Sequence, residues 1–119
     1  MINWKREEWN TDAIEDFAPY FDAKTLMQIV DDCLLVGVFN GMKRIGSFTY
    51  QTAKTFTGNK IIEIRHLAGK FAIDLMYPIL KQLGSMENAI VRVVSDRKGF
   101  DKVLNDYNFK KITTVWELA

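Results

Sequence analysis

Cysteine, histidine and proline are nearly missing from this 119-residue chain, which contains one Cys, one His and two Pro. A lone Cys33 forms no internal disulfide, which reads as a reducing compartment such as the cytosol. It opens the apolar run Cys33-Leu34-Leu35-Val36 and reads as a buried structural thiol rather than a nucleophile. One histidine and one distant cysteine make no metal-ligand cluster. The acidic pair Asp31-Asp32 reads as a solvated helix boundary, because no further ligands follow at a recognisable spacing. No apolar stretch approaches the ~18 residues needed to cross a bilayer, and Met1-Ile2-Asn3-Trp4-Lys5-Arg6 has no signal-peptide apolar region. The expectation is a soluble, cytoplasmic protein with no membrane contact. An excess of charge is also missing: 16 basic residues against 15 acidic leave +1, so the whole-chain charge gives no drive toward nucleic acid.

What the chain does have is a core. Its 48% hydrophobic and 13% aromatic residues argue for a folded globule, and the length suits one domain over residues 1–119. No internal repeat, low-complexity segment or linker interrupts it.

Two apolar runs organise the pattern. Ile61-Ile62-Glu63-Ile64-Arg65-His66-Leu67 and Ala89-Ile90-Val91-Arg92-Val93-Val94 flank a helical stretch. They read as strand, crossover helix and parallel strand, a unit that is almost always right-handed. The crossover helix is expected from Lys70 to Leu83, kinked or interrupted at Pro78, with Gly84 as its C-cap.

Ahead of this unit, Trp4 and Trp9 bracket Lys5-Arg6-Glu7-Glu8 in a short edge strand or a packed arm. Asn10-Thr11-Asp12 starts a first helix, with Ile14, Phe17 and Ala18 at helical spacing and Pro19 limiting it. Asp22 caps a second helix over Ala23 to Asp31. Strands at Leu34 to Phe39 and Met42 to Gln51 are joined by Asn40-Gly41, a strong hairpin signal, and one face of the second is expected to be buried. A turn at Thr57-Gly58-Asn59 leads to Ile61. Behind the unit, Ser95-Asp96 caps a short helix with Phe100, Val103, Leu104 and Tyr107, and Phe109 to Leu118 reads as one last strand.

This order, two helices, an antiparallel meander, a crossover helix, a parallel strand, a short helix and a final strand, resembles the GNAT superfamily of N-acetyltransferases. In residues the resemblance rests on Val36-Gly37-Val38-Phe39-Asn40-Gly41 through Gly46 to Ile61–Leu67, and on Lys98-Gly99-Phe100-Asp101-Lys102-Val103-Leu104-Asn105-Asp106-Tyr107-Asn108-Phe109. It implies an α+β fold with a mixed, mainly antiparallel sheet. It also implies acetyl-coenzyme A in a V-shaped opening between the third meander strand and the next parallel strand. There the main chain of about Ile64, Arg65 and Leu67 would pair with the pantetheine arm. Ala68, Gly69, Lys70, Phe71 and Ala72 would cradle the pyrophosphate, as helix N-termini do.

Several positions depart from the family pattern. The pyrophosphate turn keeps one glycine, Gly69, with Phe71 and Ile73 adding bulk. Leu104 stands where a tyrosine usually protonates the departing thiolate, with Tyr107 nearby, and the usual asparagine falls near Arg97. One C-terminal run stands where the family has a hairpin.

Individual residues carry paired readings. Glu63, on the strand, serves as general base or as half of a surface ion pair with Arg65, which projects from the same face. His66, at the strand end, is a hydrogen-bonded structural residue or a proton-transfer group. Phe48, Tyr50 and Phe56, with Lys43, Arg44, Lys54 and Lys60, read as cross-strand and core pairs ahead of a nucleic-acid face.

Two functions follow from the resemblance. In the favoured one, a degenerate GNAT-like domain has lost the chemistry and serves as a binding or assembly module, of a type similar to compact bacteriophage-encoded proteins, in the host cytoplasm or virion. In the alternative, it is an acetyl-CoA-dependent N-acetyltransferase of an amine, with Glu63 or His66 as base and Tyr107 as substitute acid. The missing last strand would leave an unfilled edge for a homo-oligomer or protein partner.

Overall fold

The computed structural model describes residues 1–69, 73–94, 109–112 and 115–118. The chain runs β1 (Ile2–Glu7), α1 (Thr11–Phe17), α2 (Ala23–Asp32), β2 (Leu34–Asn40), β3 (Lys43–Lys54), β4 (Lys60–Gly69), α3 (Ile73–Glu87), β5 (Ala89–Val94), β6 (Phe109–Ile112) and β7 (Val115–Leu118). All strands join one sheet in the order β1-β2-β3-β4-β5-β7-β6. β1 to β4 pair antiparallel in sequence, β4 and β5 pair parallel, and β5 then pairs antiparallel with β7. The expected α+β architecture, with a meander feeding a parallel crossover, is therefore present.

The helices start where short polar side chains can satisfy free backbone N–H groups. Asn10 accepts from the Ala13 amide at 2.9 Å, and Asp22 from the Thr25 amide at 2.7 Å. Within α1 the inward pair is Ala13 and Phe17, one turn apart, whereas Ile14 is exposed.

Helices cover both faces of the central strands. On one face Met76, Ile79, Leu80 and Leu83 of α3 pack on Val36, Val38, Phe48, Tyr50, Ile62, Ile64, Val91 and Val93. On the other, Ala13, Phe17 and Leu26 pack on Leu35 and Ala68, flanked by Trp9 and Phe21. The expectation of one buried face on β3 is thus corrected: Ser47 and Thr49, on the α1 side, are as fully buried as Phe48. Double coverage also explains why β2 and β4 read as near-continuous apolar runs. Of the aromatic set, Phe48 and Tyr50 belong to the core and Phe56 is exposed in the loop after β3.

The α1-side face also encloses a charge network. Arg44 donates through Nε to Asp16 (2.8 Å), through Nη1 to Glu7 (2.8 Å) and through Nη2 to the Ser47 hydroxyl (2.6 Å), which itself donates to Asp16 (2.7 Å). Three elements, β1, α1 and β3, are tied by one guanidinium, whose fixed fork suits several acceptors. Gly37 leaves room for it, since an added Cβ would lie 2.7 Å from Glu7 Cδ.

Local punctuation differs from the sequence reading in four places. Strand pairing extends through Asn40↔Lys43, so the hairpin loop is Gly41-Met42 rather than Asn40-Gly41. Gly41 has φ +63 and Met42 does not have positive φ, the glycine-first pattern of a type II′ turn. α3 continues through Pro78, which lies on its exposed side, so of the two expectations there the interruption does not occur. Gly84 does not end the helix. It lies inside α3, where an added Cβ would come 2.8 Å from Val91 Cγ2, and the left-handed residue that closes the helix is Asn88 at φ +49. Finally, Phe109 to Leu118 is a hairpin of two strands, paired Phe109↔Leu118 through Ile112↔Val115. The last strand is not missing, and the unfilled edge inferred for a partner is filled by β7 and β6. The expected helix after Ser95-Asp96 lies outside the described residues.

Candidate functional site

β4 changes face partway along. Tyr50 pairs with Ile64 and Thr49 with His66, so Arg65 is an extra residue opposite no partner, a β-bulge. Before it, Ile62 and Ile64 face α3. After it, Leu67 packs toward α3 and Ala68 packs on the α1 side. His66 consequently shares the α1-side face with Glu63; in an unbulged strand the two would point oppositely. Signs of this are visible in the sequence only in hindsight, as two successive polar residues, Arg65-His66, between apolar ones.

The same point marks a fork in the sheet. β4 and β5 pair from Lys60↔Ala89 to Ile64↔Val93 and no further, although β4 continues to Gly69 and β5 to Val94. β5 stays paired to β7 through Val94↔Val115. Among the described residues the parallel ladder therefore goes no further, and Arg65 to Gly69 have no β5 partner there.

Beside this fork, His66 is half-buried. Its Nδ1 lies 2.8 Å from the Thr49 hydroxyl, and its ring meets Phe21, in the α1–α2 connection, edge-on with centroids 5.4 Å apart. Burial, then the adjacent Arg65 charge, push its pKa below the ordinary value of 6.5, which favours the neutral imidazole. Glu63 makes a loose contact of 3.5 Å with Arg65 Nη1. Cys33, the C-cap of α2, is buried, and burial pushes its thiol up against the opposing influence of the Thr49 hydroxyl, which disfavours the thiolate. Trp9 Nε1 donates to the Cys33 carbonyl at 3.0 Å.

Gly69 has a structural duty. Its φ of +127 and its place against Gly46, where an added Cβ would stand 2.5 Å from the Gly46 Cα, require glycine whatever is bound nearby. Of the residues singled out from sequence, Glu63, Ile64, Arg65, His66, Leu67, Ala68 and Gly69 come together on β4, with Ile64 and Ala68 buried as core. Lys70, Phe71, Ala72 and Tyr107, with Arg97 and Leu104, lie outside the described residues. Sequence reasoning missed Thr49 and Phe21, since a threonine inside a strand and a phenylalanine between helices carry no motif. Among the described residues no cluster of His, Cys, Asp and Glu can hold a metal. No helix among them is long and apolar enough to cross a membrane.

This α+β arrangement, a bulged fourth strand beside a parallel fifth, matches the fold of solved GNAT-family structures. The chain resembles a putative GNAT-family acetyltransferase from Desulfovibrio desulfuricans with a TM-score of 0.64 at 9% identity, covering 99% of this chain and 98% of that one. Against the Bacillus subtilis N-acetyltransferase YlbP in complex with coenzyme A the TM-score is 0.66 at 14% identity, with 99% and 96% covered. Against the AtaT toxin bound to the C-terminus of the antitoxin AtaR it is 0.62 at 7% identity, with 99% and 91% covered. No protein-family model matches the sequence, and no curated protein matches it. The fold is GNAT-like; at these identities the likeness speaks for fold alone.

Proposed function

We propose that this chain is a small acetyl-coenzyme A-dependent N-acetyltransferase acting on an amine. The observation that carries this reading is the fork at Ile64/Val93, where β4 and β5 part while both strands continue. A strand edge with no partner strand is ready for an extended amide-bearing arm, and among the described residues Arg65 to Gly69 have none on the β5 side. Acetyl-coenzyme A would contribute an activated acetyl thioester. The paired C-terminal strands remove one departure from the family pattern that had favoured loss of function.

Glu63 is the proton acceptor in this reading. It sits on the α1-side face of β4 one residue before the fork, partly exposed and held only loosely by Arg65. As the acceptor nitrogen attacks the thioester carbonyl and the C–N bond forms, the amine proton passes to this carboxylate directly or through water; the C–S bond then breaks and coenzyme A leaves as the thiolate, which takes a proton from solvent.

A second reading, a binding or assembly module without chemistry, is favoured by Gly69. Its glycine is already required by contact with β3, so it lends no support to a phosphate cradle. The AtaT likeness is consistent with a protein partner, since that protein is bound to an antitoxin segment.

Titration of the labelled protein with acetyl-coenzyme A, followed by amide NMR and calorimetry, decides between them. The first reading expects saturable binding with the largest shifts at amides 65 to 69. Absence of any shift at millimolar ligand overturns it in favour of the second.

A further inference from the structure

Thr49 and His66 are register partners on β3 and β4, side by side on the α1 face. Thr49 is fully buried, so its hydroxyl proton needs an acceptor; a buried donor left unmade costs about 1–3 kcal/mol. Two neighbours are available. His66 Nδ1 stands at 2.8 Å, an imidazole nitrogen and a strong acceptor when unprotonated. The other is the Cys33 sulfur, a weak acceptor.

If His66 carried its proton on Nδ1, that proton would go to Thr49, and the threonine proton would be left to the sulfur. With the proton on Nε2, the Thr49–Nδ1 bond satisfies the buried hydroxyl. Among the described residues no group bonds Nε2, so the second arrangement costs nothing there.

We infer that Thr49 donates to His66 Nδ1 and holds His66 as the Nε2–H tautomer, so that Thr49 is a positioning residue and His66 a hydrogen-bond donor of the site, not its base. The role rests on the acetyltransferase reading; the tautomer does not. Phe21 completes the arrangement by setting the ring plane, its edge contact lying at 89°. The charged and titratable neighbours are Arg65 on the same strand and Cys33 at the end of α2, with Glu63 on the same face. Among the described residues Nδ1 makes its hydrogen bond with Thr49 and with none of these. In N-acyl transfer an Nε2–H group would serve the carbonyl oxygen that gains negative charge, while the proton lost by the amine goes to Glu63.

His66 is the only histidine, so its two ring nitrogens give one readable pair of signals in ¹⁵N-edited NMR of the free protein. The expected result is Nδ1 unprotonated and Nε2 protonated above the titration midpoint. Thr49→Val should mix the tautomers and raise the midpoint, because a hydrogen bond to the neutral ring is lost. Thr49→Ser should restore both. A protonated Nδ1 in the wild-type protein, or a midpoint that falls in Thr49→Val, overturns the inference; the wild-type spectrum decides even if the valine variant does not fold. Since no ligand is present, failure here leaves acetyl-coenzyme A binding standing, and absence of such binding leaves the tautomer standing.

Discussion

Gly69 and Gly46 face each other across β4 and β3, so close that neither strand leaves room for a side chain at position 69. An added Cβ would stand 2.5 Å from the Gly46 Cα and would also run into the Ile45 carbonyl oxygen. Gly69→Ala must therefore shift the backbone of β3 while also adopting a φ of +127 that L-residues avoid. The expected loss is about 3 kcal/mol or more in urea unfolding of the ligand-free protein. Unchanged ligand-free stability would mean that the glycine is there for something else.

Removing Arg44 should be one of the costliest single changes outside the apolar core. Glu7 and Asp16, both part-buried, and the buried Ser47 would keep their places without their common donor. Arg44→Met is expected to lose about 2 kcal/mol, somewhat below the range for breaking a fully buried ion pair from one side, because the network is part-buried. Adding Glu7→Gln and Asp16→Asn should recover part of that loss, because the stranded charges are then gone. A triple variant no more stable than Arg44→Met would refute the account.

Acid should weaken the fold through groups whose protonation the native state resists: His66 and two carboxylates, Asp22 and Glu87, the last held low chiefly by its hydrogen bond from Lys60. His66 titrates below 6.5 in the folded chain, so as pH falls through 6.5 the unfolded chain takes up a proton first and stability declines until the folded value is passed. Asp22 is held low chiefly by the Thr25 amide; its contribution is present above the ordinary carboxylate value and is lost as pH falls through the folded one. Thermal melts from pH 7 to pH 3 should show both phases. His66→Gln should flatten the upper phase and leave the lower.

Asn88 closes α3 in the left-handed region, which asparagine tolerates and β-branched residues do not. Asn88→Val should cost roughly 1–2 kcal/mol, whereas Asn88→Gly should be neutral or slightly stabilising. The reverse order, measured by denaturant midpoint, would show that the Asn88 side chain matters more than its backbone.

Much of the frame was legible in the chain because local rules set it. Asn10 and Asp22 announce their helices through the hydrogen bonds they make within three residues, and Gly41 announces its hairpin through a backbone conformation few residues accept. The runs at Ile61 and Ala89, with an amphipathic helix between them, identify a parallel crossover from composition alone. These decisions are taken over spans of a few residues, where propensity and capping dominate.

Tertiary structure decided the rest. Gly84 and Pro78 look like helix punctuation, yet packing of α3 on the sheet carries the helix past both and reserves Gly84 for contact with Val91. The run from Phe109 reads as one strand because a tight reversal within β-forming residues leaves little compositional trace; only its pairing with β5 shows two. Above all, the bulge at Arg65 depends on the register β3 imposes on β4, a long-range match that no local pattern encodes. That single extra residue turns His66 toward Glu63 and Thr49 and coincides with the fork at β5. The sequence by itself therefore determined the elements and the family of folds they suit. The face each site residue presents was decided only when strands far apart in the chain settled into register, because side-chain direction in a sheet reverses with every one-residue slip.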